Sequence, residues 1–435
     1  MRSRGCPVLR RWDSRAKLLT MQGKALPGFR DFYPEELTLR NHIFATWRSV
    51  AARYGFEEYD GPPLEALDLY TQKSGDEIVQ QLYAFRDKGD RDVALRPEMT
   101  PTLARMVAAR VQALKKPIRW FSIPQLFRYE RQQRGRLREH FQLNMDIIGE
   151  ASPLADAELM AAAIDIMRGF GLTANDVQLR VSDRRVIRTL LTARGIKEAQ
   201  FETAFAVIDR SERVPKNVLE EMLRDAGYGK REMSAVFDVA ALRGQDALKA
   251  AGETGESLGQ AVQALESMGL GEFVSIDLTI VRGLAYYTGI VWELFDAKKS
   301  LRAIAGGGRY DSLLDLPALG FGMGDVVLGE LLKERGAMPR ASTELGAFLI
   351  AVGGDDMPAM LQLAHAMRER GITVEYGLRH AGVRKQLELA SARGAARAVI
   401  IGPEERKDGL AVVRDLRAGT EAKVPLDKLL NGYFD

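Results

Sequence analysis

The segment IRWFSIPQLFRYERQQRGRLREHFQLNMDII, residues 118–148, predicts two β-strands joined by a glycine-containing loop. In the second strand, the two-residue period puts His140, Gln142, Asn144 and Asp146 on one face and apolar residues on the other. Polar side chains on a covered face need each other, water or a ligand as partners. The pattern therefore favours the floor of a polar cleft over the alternative, a solvent-exposed sheet face.

The loop of this hairpin is rich in arginine. It contains Arg131, Arg134, Arg136 and Arg138 around one glycine. Arg128 precedes them on the first strand, where alternation gives it the same face as Glu130. A solvated basic hairpin tip is one interpretation. The other is a phosphate site, because guanidinium groups bind phosphate oxygens through two parallel hydrogen bonds.

Size and composition predict an ordinary globular protein. With 435 residues the chain is long enough for two or three domains, and 46% of its residues are hydrophobic. Its longest apolar runs are too short to cross a bilayer, so no membrane span is expected. A net charge of +3 indicates no nucleic-acid partner by itself, so any such surface must be local.

A single cysteine, Cys6, excludes a disulfide framework within the chain and predicts a reducing, cytoplasmic compartment. The four histidines show no zinc-ligand spacing, so no structural metal is expected. Residues 1–22 form a basic N-terminal tail. An organelle transit peptide, an over-long start and a disordered tail are all open interpretations of it.

Local patterns outline the rest of the chain. A helix is expected from Pro34 until Gly55 stops it, and VALRPEMTPTLARMVAARV, residues 93–111, predicts strand, turn and helix. Thr100 is the expected N-cap of that helix, which leaves Glu98 between strand and helix, facing a ligand.

Two further segments differ from the rest in their pattern of apolar and polar residues. Residues of about 185–270 have helical periodicity only, which predicts a helical insertion. Beyond a linker at residues 336–345, strand-like and helical segments alternate, which predicts a small α/β domain with a largely parallel sheet.

The segment IVRGLAYYTGIVWELF, residues 280–295, sets Arg282 between two apolar runs, where flanking strands fix it in a cleft. Two glycine runs follow, AIAGGGRYDSLL at 303–314 and ALGFGMGDVVLGELL at 318–332. Such glycines let the backbone approach a flat ligand closely. Neither a G-x-x-x-x-G-K-[ST] loop nor a strand-bound G-x-G-x-x-G is present, so arginines on antiparallel strands must hold any ATP.

From about Gly23 to Leu430 the chain resembles the histidyl-tRNA synthetase family, which belongs to the class II aminoacyl-tRNA synthetases. GFRDFYPEE resembles the first, dimer-forming class motif, and FRYERQQRGRLREHFQLNMDIIG resembles the second. VRGLAYYTG and GGGRYD resemble the two histidine-specific motifs, and RKQLELASARGA and VIIGPEE resemble parts of the anticodon-binding domain.

The resemblance implies a fold and a function. The implied fold is an α+β catalytic domain at residues 23–335, built on an antiparallel sheet with the helical insertion, plus an anticodon-binding α/β domain at residues 345–435. The implied enzyme is a homodimeric histidine–tRNA ligase that activates L-histidine with ATP and Mg²⁺ and charges tRNA(His).

The resemblance also assigns roles to residues. The implied histidine-binding residues are Glu98, Met99, Thr100, Arg128, Gln142, Asp146, Arg282, Tyr286 and Tyr287. The implied ATP-binding residues are Arg128, Glu130, Arg136 and Arg282, and among them Arg128 and Arg282 are the implied catalytic pair. Arg134 and Arg138 are the implied contacts to the tRNA acceptor end.

Three positions depart from the family pattern. Ala285 replaces a common acid, Val327 replaces a phosphate-binding arginine, and Asp146 replaces the commoner glutamate. The first two indicate either a weakened paralogue or an active subgroup that carries both changes.

The rival functions are a histidine-sensing regulatory subunit of ATP phosphoribosyltransferase and a tRNA-binding sensor module. An anticodon-binding domain disfavours the former, and the lack of an effector domain disfavours the latter.

Overall fold

The computed structural model describes residues 25–71, 76–131, 135–282, 287–298, 300–311, 315–339, 345–379, 381–431 and 433. The chain divides into two compact units, Met1–Pro339 and Arg340–Asp435. Within the described ranges, no helix has both the length and the apolar character that crossing a membrane requires.

The first unit combines strands and helices. Its strands are β1 Glu57–Glu58, β2 Leu64–Ala66, β3 Tyr83–Arg86, β4 Asp92–Leu95, β5 Ile118–Ser122, β6 Gln125–Phe127, β7 Glu139–Ile148, β8 Val177–Asp183, β9 Val274–Ile276, β10 Ile290–Asp296, β11 Ala305–Arg309 and β12 Ala318–Gly324. Its helices are α1 Pro34–Arg53, α2 Leu67–Thr71, α3 Asp76–Val79, α4 Thr100–Arg110, α5 Pro153–Gly169, α6 Arg184–Ala193, α7 Phe201–Arg210, α8 Lys216–Asp225, α9 Lys230–Ala240, α10 Gly244–Ala251, α11 Glu256–Ser267 and α12 Asp325–Glu334.

The main sheet has the strand order β1-β5-β7-β12-β11-β10-β8-β9, and β6 also pairs with β7. Neighbouring strands are antiparallel except for the end pairs β1/β5 and β8/β9. The predicted antiparallel sheet is therefore confirmed. A smaller sheet, β2-β4-β3, carries the segment that leads to α4.

The predicted hairpin contains three strands instead of two. The chain leaves the first strand after Ser122 and pairs again from Gln125, with Pro124 between them. Proline has no N–H to donate to a strand ladder, which explains the interruption. Arg128 was predicted within a strand but lies one residue beyond β6, where its N–H still donates to the carbonyl of Arg138 at 3.0 Å.

Helix α1 begins at Pro34 as predicted and ends just before Gly55, whose φ of +73° suits glycine. The side chains of Ile43, Trp47 and Val50 recur at helical spacing and are buried against the sheet core. In α4 the predicted N-cap is wrong by one residue. Met99 occupies the cap position, and its backbone is already helical, so Thr100 belongs to the first turn.

Helix α5 is the buried helix of the first unit, and most of its side chains are shielded from solvent. It is joined to β11 by an ion pair between Arg309 and Asp156, both at most 5% exposed. The Arg309 Nε atom donates to Asp156 at 2.9 Å, and its Nη atoms donate to the carbonyls of Glu150 and Ser152. The guanidinium therefore ties the end of β11 to the first turn of α5 and to the residues just before it.

The segment between β8 and β9 contains the helices α6 to α11 and no strand among its residues, all of which are described, which confirms the predicted helical insertion. The second unit alternates strands and helices. Its elements are β13 Leu345–Ala351, α13 Met357–Glu369, β14 Val374–Tyr376, α14 Val383–Ala392, β15 Ala395–Ile401, α15 Pro403–Asp408, β16 Leu410–Asp415, β17 Glu421–Pro425 and α16 Leu426–Leu430.

The sheet of the second unit has the order β14-β13-β15-β16-β17. The predicted α/β fold is confirmed, but the prediction of a largely parallel sheet is wrong. Only β14, β13 and β15 are mutually parallel, whereas β16 and β17 are antiparallel to their neighbours. A tight turn joins β16 to β17, with the Asp415 N–H bonded to the Thr420 carbonyl, and such a short connection allows only antiparallel pairing.

The buried pair predicts a large cost for Arg309→Gln. The substitution leaves Asp156 and two carbonyl groups without their donor, which costs about 3 kcal/mol. The measurement is amide hydrogen exchange in α5 and β11, whose protection should fall by about 100-fold. As a matched control, Arg86→Gln breaks an exposed pair with Asp92 and should cost less than about 1 kcal/mol. Equal effects of the two substitutions would contradict the role given to Arg309.

Candidate active site

Two cavities of about 200 Å³ and 250 Å³ lie side by side on the main sheet. The first contains Glu98, Thr100, Asn144, Asp146, Tyr287 and Tyr310. The second contains Glu130, Arg136, His140, Glu293, Arg302 and Val327. Arg128, Gln142, Arg282, Gly306 and Gly322 line both. Two ligands in these cavities would therefore meet beside these shared residues, which include the cationic Arg128 and Arg282.

Four glycines of β11 and β12 make the space for this site, and we call Gly306, Gly308, Gly320 and Gly322 the glycine patch. The register pairs Gly306 with Gly322 and Gly308 with Gly320, so the four lie on one face. A Cβ atom on Gly306 would lie 1.5 Å from Nη1 of Arg282. A Cβ atom on Gly320 would lie 2.0 Å from Oδ1 of Asp146.

A side chain at either of the other two glycines of the patch would also come too close to a neighbouring side chain of the site. A Cβ atom on Gly322 would lie 2.8 Å from Cδ of Gln142, and one on Gly308 would lie 3.0 Å from the Tyr287 ring. Sequence analysis assigned these glycines to close approach of a flat ligand. In the structure they also make room for the polar side chains of the site itself.

Arg282 is held by several independent contacts. Its Nη1 atom lies 3.0 Å from Oε1 of Glu293 on β10, and its guanidinium lies over the Tyr287 ring at 5.6 Å. Arg184 donates to the Arg282 carbonyl at 2.9 Å. The φ of Arg282 is +55°, a backbone conformation that non-glycine residues adopt only when their surroundings impose it. These contacts explain how a charged residue is kept between two apolar strands.

Asp146 lies at the floor of the first cavity, where it is 5% exposed and accepts a hydrogen bond from the Tyr310 hydroxyl. Burial raises the pKa of Asp146 from its ordinary 3.8 to about 7, although the hydrogen bond from Tyr310 opposes that shift. Burial likewise raises the pKa of Tyr287. The first cavity thus offers an acceptor whose charge changes near neutral pH.

The second cavity has a cationic wall. The Arg136 Nε atom lies 3.0 Å from Glu130, and the Arg128 Nε atom donates to the Pro97 carbonyl at 2.8 Å. Burial, followed by the charge of Arg128, lowers the pKa of His140 to about 3, so this histidine is a neutral imidazole. The wall is suited to a ligand with several negative charges.

The structure brings most of the predicted site residues together. Glu98, Thr100, Arg128, Gln142, Asp146, Arg282 and Tyr287 line the first cavity, and Arg128, Glu130, Arg136 and Arg282 line the second. The side chain of Met99 is buried in the core beside Arg96 and is not in either lining. Arg138 stacks on the Tyr129 ring at 4.0 Å. Tyr286, Arg134 and the variant position Ala285 lie outside the described residues.

Sequence reasoning assigned no role to Tyr310, Glu293, His140 or Arg302, which also line the cavities. A charged residue inside the buried strand of β10 was a detectable sign for Glu293, and a tyrosine directly after the glycine run was one for Tyr310. His140 was placed on the polar face but given no function. Arg302 lies in a loop without any local pattern, so nothing in the sequence distinguished it.

The antiparallel sheet with a cationic double cavity, together with a separate α/β unit, matches the architecture of the class II aminoacyl-tRNA synthetases. Comparison with protein families is more specific. Residues 28–324 match the model described as histidyl-tRNA synthetase, and residues 347–432 match the model described as anticodon binding domain. The chain belongs to the histidyl-tRNA synthetase family.

Curated relatives agree with this assignment. The chain is 43% identical over 422 residues to the histidine–tRNA ligase of Opitutus terrae, covering 93% of this chain and 97% of that protein. It is 41% identical over 412 residues to the chloroplastic/mitochondrial histidine–tRNA ligase of Arabidopsis thaliana, covering 92% and 85%. The crystal structure of histidyl-tRNA synthetase from Nostoc sp. PCC 7120 superposes with a TM-score of 0.80 at 23% identity, covering 94% and 98%. At that identity it supports the fold alone.

The raised pKa of Asp146 predicts a pH-dependent stability. A carboxyl group with a higher pKa in the folded chain favours folding fully below its ordinary pKa of 3.8, and this contribution is lost as pH rises through about 7. The asparagine side chain of Asp146→Asn does not ionise, so this variant does not lose stability for that reason as pH rises. The melting temperature of the variant, measured relative to wild type, should therefore rise between pH 5 and pH 8. A difference that does not change with pH would contradict the shifted pKa.

Proposed function

We propose that the first cavity binds histidine, that the second binds ATP, and that the chain joins them as histidyl-adenylate before charging tRNA(His). The observation that carries this proposal is that the two cavities share Arg128 and Arg282 in their linings. Relatives with 37–43% identity over most of the chain are named histidine–tRNA ligases. The match to an anticodon-binding domain also favours charging over the regulatory-subunit alternative.

On the histidine side, the acidic and polar groups of Glu98, Thr100 and Gln142 hold the α-ammonium group. Asp146 accepts a hydrogen bond from the imidazole N–H, and Tyr310 orients that carboxyl group from its other side. A buried acceptor without a donor is costly, so an apolar side chain of similar size is rejected. Tyr287 completes the pocket, and the resemblance to the family assigns Tyr286 to histidine binding as well. Met99 supports this wall from the core.

On the ATP side, Arg136 binds terminal phosphates and is itself held by Glu130. A carboxylate oxygen of histidine attacks the α-phosphorus, and the bond from that phosphorus to the oxygen bridging to the β-phosphate breaks. Arg128 and Arg282 stabilise the negative charge of the five-coordinate transition state. The substrate supplies its own nucleophile, so catalysis depends on position and electrostatics and needs no enzyme base.

In the second step, a terminal ribose hydroxyl of tRNA attacks the carbonyl carbon of the adenylate and AMP leaves. Arg134 and Arg138 contact the acceptor end. The domain at residues 345–435 reads anticodon bases, which single-stranded loops present outside their stack. The catalytic domain is assigned to residues 23–335, with the insertion at about 185–270 and the basic tail at residues 1–22.

Magnesium enters the proposal as a companion of ATP. Among the described residues that line the second cavity, the acidic side chains of Glu130 and Glu293 are paired with arginines, so phosphate oxygens would supply most ligands of the ion. Bound Mg²⁺ would supply charge neutralisation for the phosphates. Two further elements of the proposal rest on the sequence: a homodimer through GFRDFYPEE and α1, and a cytoplasmic location.

The direct test is ATP–pyrophosphate exchange with each of the twenty amino acids, followed by charging of a tRNA(His) transcript. Exchange with histidine alone, together with charging, is the expected result. It would also show that Val327 and Ala285 are compatible with activity. Histidine binding without exchange would overturn the proposal in favour of the regulatory subunit.

The glycine patch predicts the effect of Gly306→Ala. The added Cβ atom would overlap Nη1 of Arg282, so the guanidinium must leave its place beside Glu293. Histidine-dependent exchange should fall by about 100-fold, as expected when one transition-state donor is lost. Gly259→Ala in α11 is the matched control, because its Cβ atom meets only Leu248 at 3.9 Å. Equal activity of both variants would refute the requirement for space at Gly306.

A further inference from the structure

Arg302 lies in the loop between β10 and β11, three residues before Ala305 begins β11. It lines the second cavity only, together with Arg136, and its side chain remains accessible to solvent. Neither the sequence motifs nor the resemblance to the family gave this residue a role. Its position nevertheless places a fourth guanidinium in a site that already contains those of Arg128, Arg136 and Arg282.

The acids of the second cavity already have other partners. Glu130 lies 3.0 Å from Arg136, and Glu293 lies 3.0 Å from Arg282. Within the described part of the chain, no carboxylate lies within 4.0 Å of the Arg302 guanidinium. Burial, and after it the positive charge of Arg136, lowers the pKa of Arg302. The wall at Val327 is apolar and brings no charge. Among the described residues that line the cavity, Arg302 is therefore the cation without a carboxylate within 4.0 Å.

We propose that Arg302 binds the terminal phosphates of ATP and stabilises pyrophosphate as it leaves. This inference rests on the proposed function. Arg128 and Arg282 line both cavities, so the α-phosphate, where the two substrates react, lies beside them. Arg136 and Arg302 line only the second cavity, farther from the histidine side. The β- and γ-phosphates occupy that space. Guanidinium groups bind them through paired hydrogen bonds.

The chemistry of the leaving group gives Arg302 its role. As the histidine carboxylate bonds to the α-phosphorus, the electron pair of the breaking bond moves to the oxygen that bridged the α- and β-phosphorus atoms, which becomes a terminal oxygen of pyrophosphate. Negative charge grows on that side of the reaction. A cation without an acid partner stabilises this charge more than one already neutralised, because no existing ion pair has to be weakened. Arg302 thereby supplies the charge that Val327 does not.

The test compares Arg302→Ala, Arg302→Lys and a control, Arg213→Ala. Arg213 contributes positive charge near Arg302 but is paired with Asp209 and is not part of the cavity lining. In histidine-dependent exchange, Arg302→Ala should raise KM for pyrophosphate about 10-fold and lower kcat about 30-fold. Arg302→Lys should retain an intermediate activity, because lysine keeps the positive charge but cannot make the paired hydrogen bonds of a planar guanidinium. Arg213→Ala should remain within about 2-fold of wild type.

A second measurement locates the contact. A non-hydrolysable sulfamoyl analogue of histidyl-adenylate lacks the terminal phosphates, so its calorimetric affinity should be the same for Arg302→Ala and wild type. This result also shows that the variant folds. Unchanged KM and kcat in Arg302→Ala would overturn the inference, and so would a parallel loss of analogue affinity. If wild type itself shows no histidine-dependent exchange, the proposed function fails instead.

Discussion

The absence of side chains at Gly306, Gly308, Gly320 and Gly322 is the constraint on which the site depends. These four residues form a hollow on a sheet face that is otherwise closely packed. Gln142 and Asp146, both on β7, and Arg282, from the segment before β10, occupy that hollow. A methyl group at Gly306 or Gly320 would overlap these side chains, so the strands gain their function by giving up side-chain packing.

Burying so many ionisable groups is costly, and the structure limits the cost by pairing. Glu293 holds Arg282, Glu130 holds Arg136, and Asp156 holds Arg309 one residue before Tyr310. Asp146 receives a hydroxyl donor instead of a cation, which leaves its pKa near neutrality. Because these groups are fixed before substrates bind, little reorganisation remains for the reaction itself.

The fold was predictable from sequence to the extent that local patterns determine it. The polar face of β7, helix α1 and the helical insertion follow from periodicity, and all three are present. The N-cap at Thr100 and the antiparallel pair β16 and β17 were not predicted correctly, because backbone angles and strand order depend on tertiary context.

In the site as well, features with a local sequence signal were predictable and features that depend on tertiary context were not. Arg282 and Asp146 were identifiable because a charged residue between apolar strands and an acid on a buried face are both unusual. Glu293 and Tyr310 are their partners across strands, and partner identity requires the register of β10, β11 and β12, which no single segment encodes. Arg302 became recognisable only when the pairing of every neighbouring acid was known.

The most direct measurement is the single-turnover rate of histidyl-adenylate formation by Arg282→Ala, with histidine affinity measured in parallel. If Arg282, held by Glu293 and the glycine patch, stabilises the transition state, the rate should fall by about 1000-fold while amide exchange in the sheet stays unchanged. Near-normal adenylate formation in that variant would contradict the account, because the hollow in the sheet would then serve no catalytic purpose.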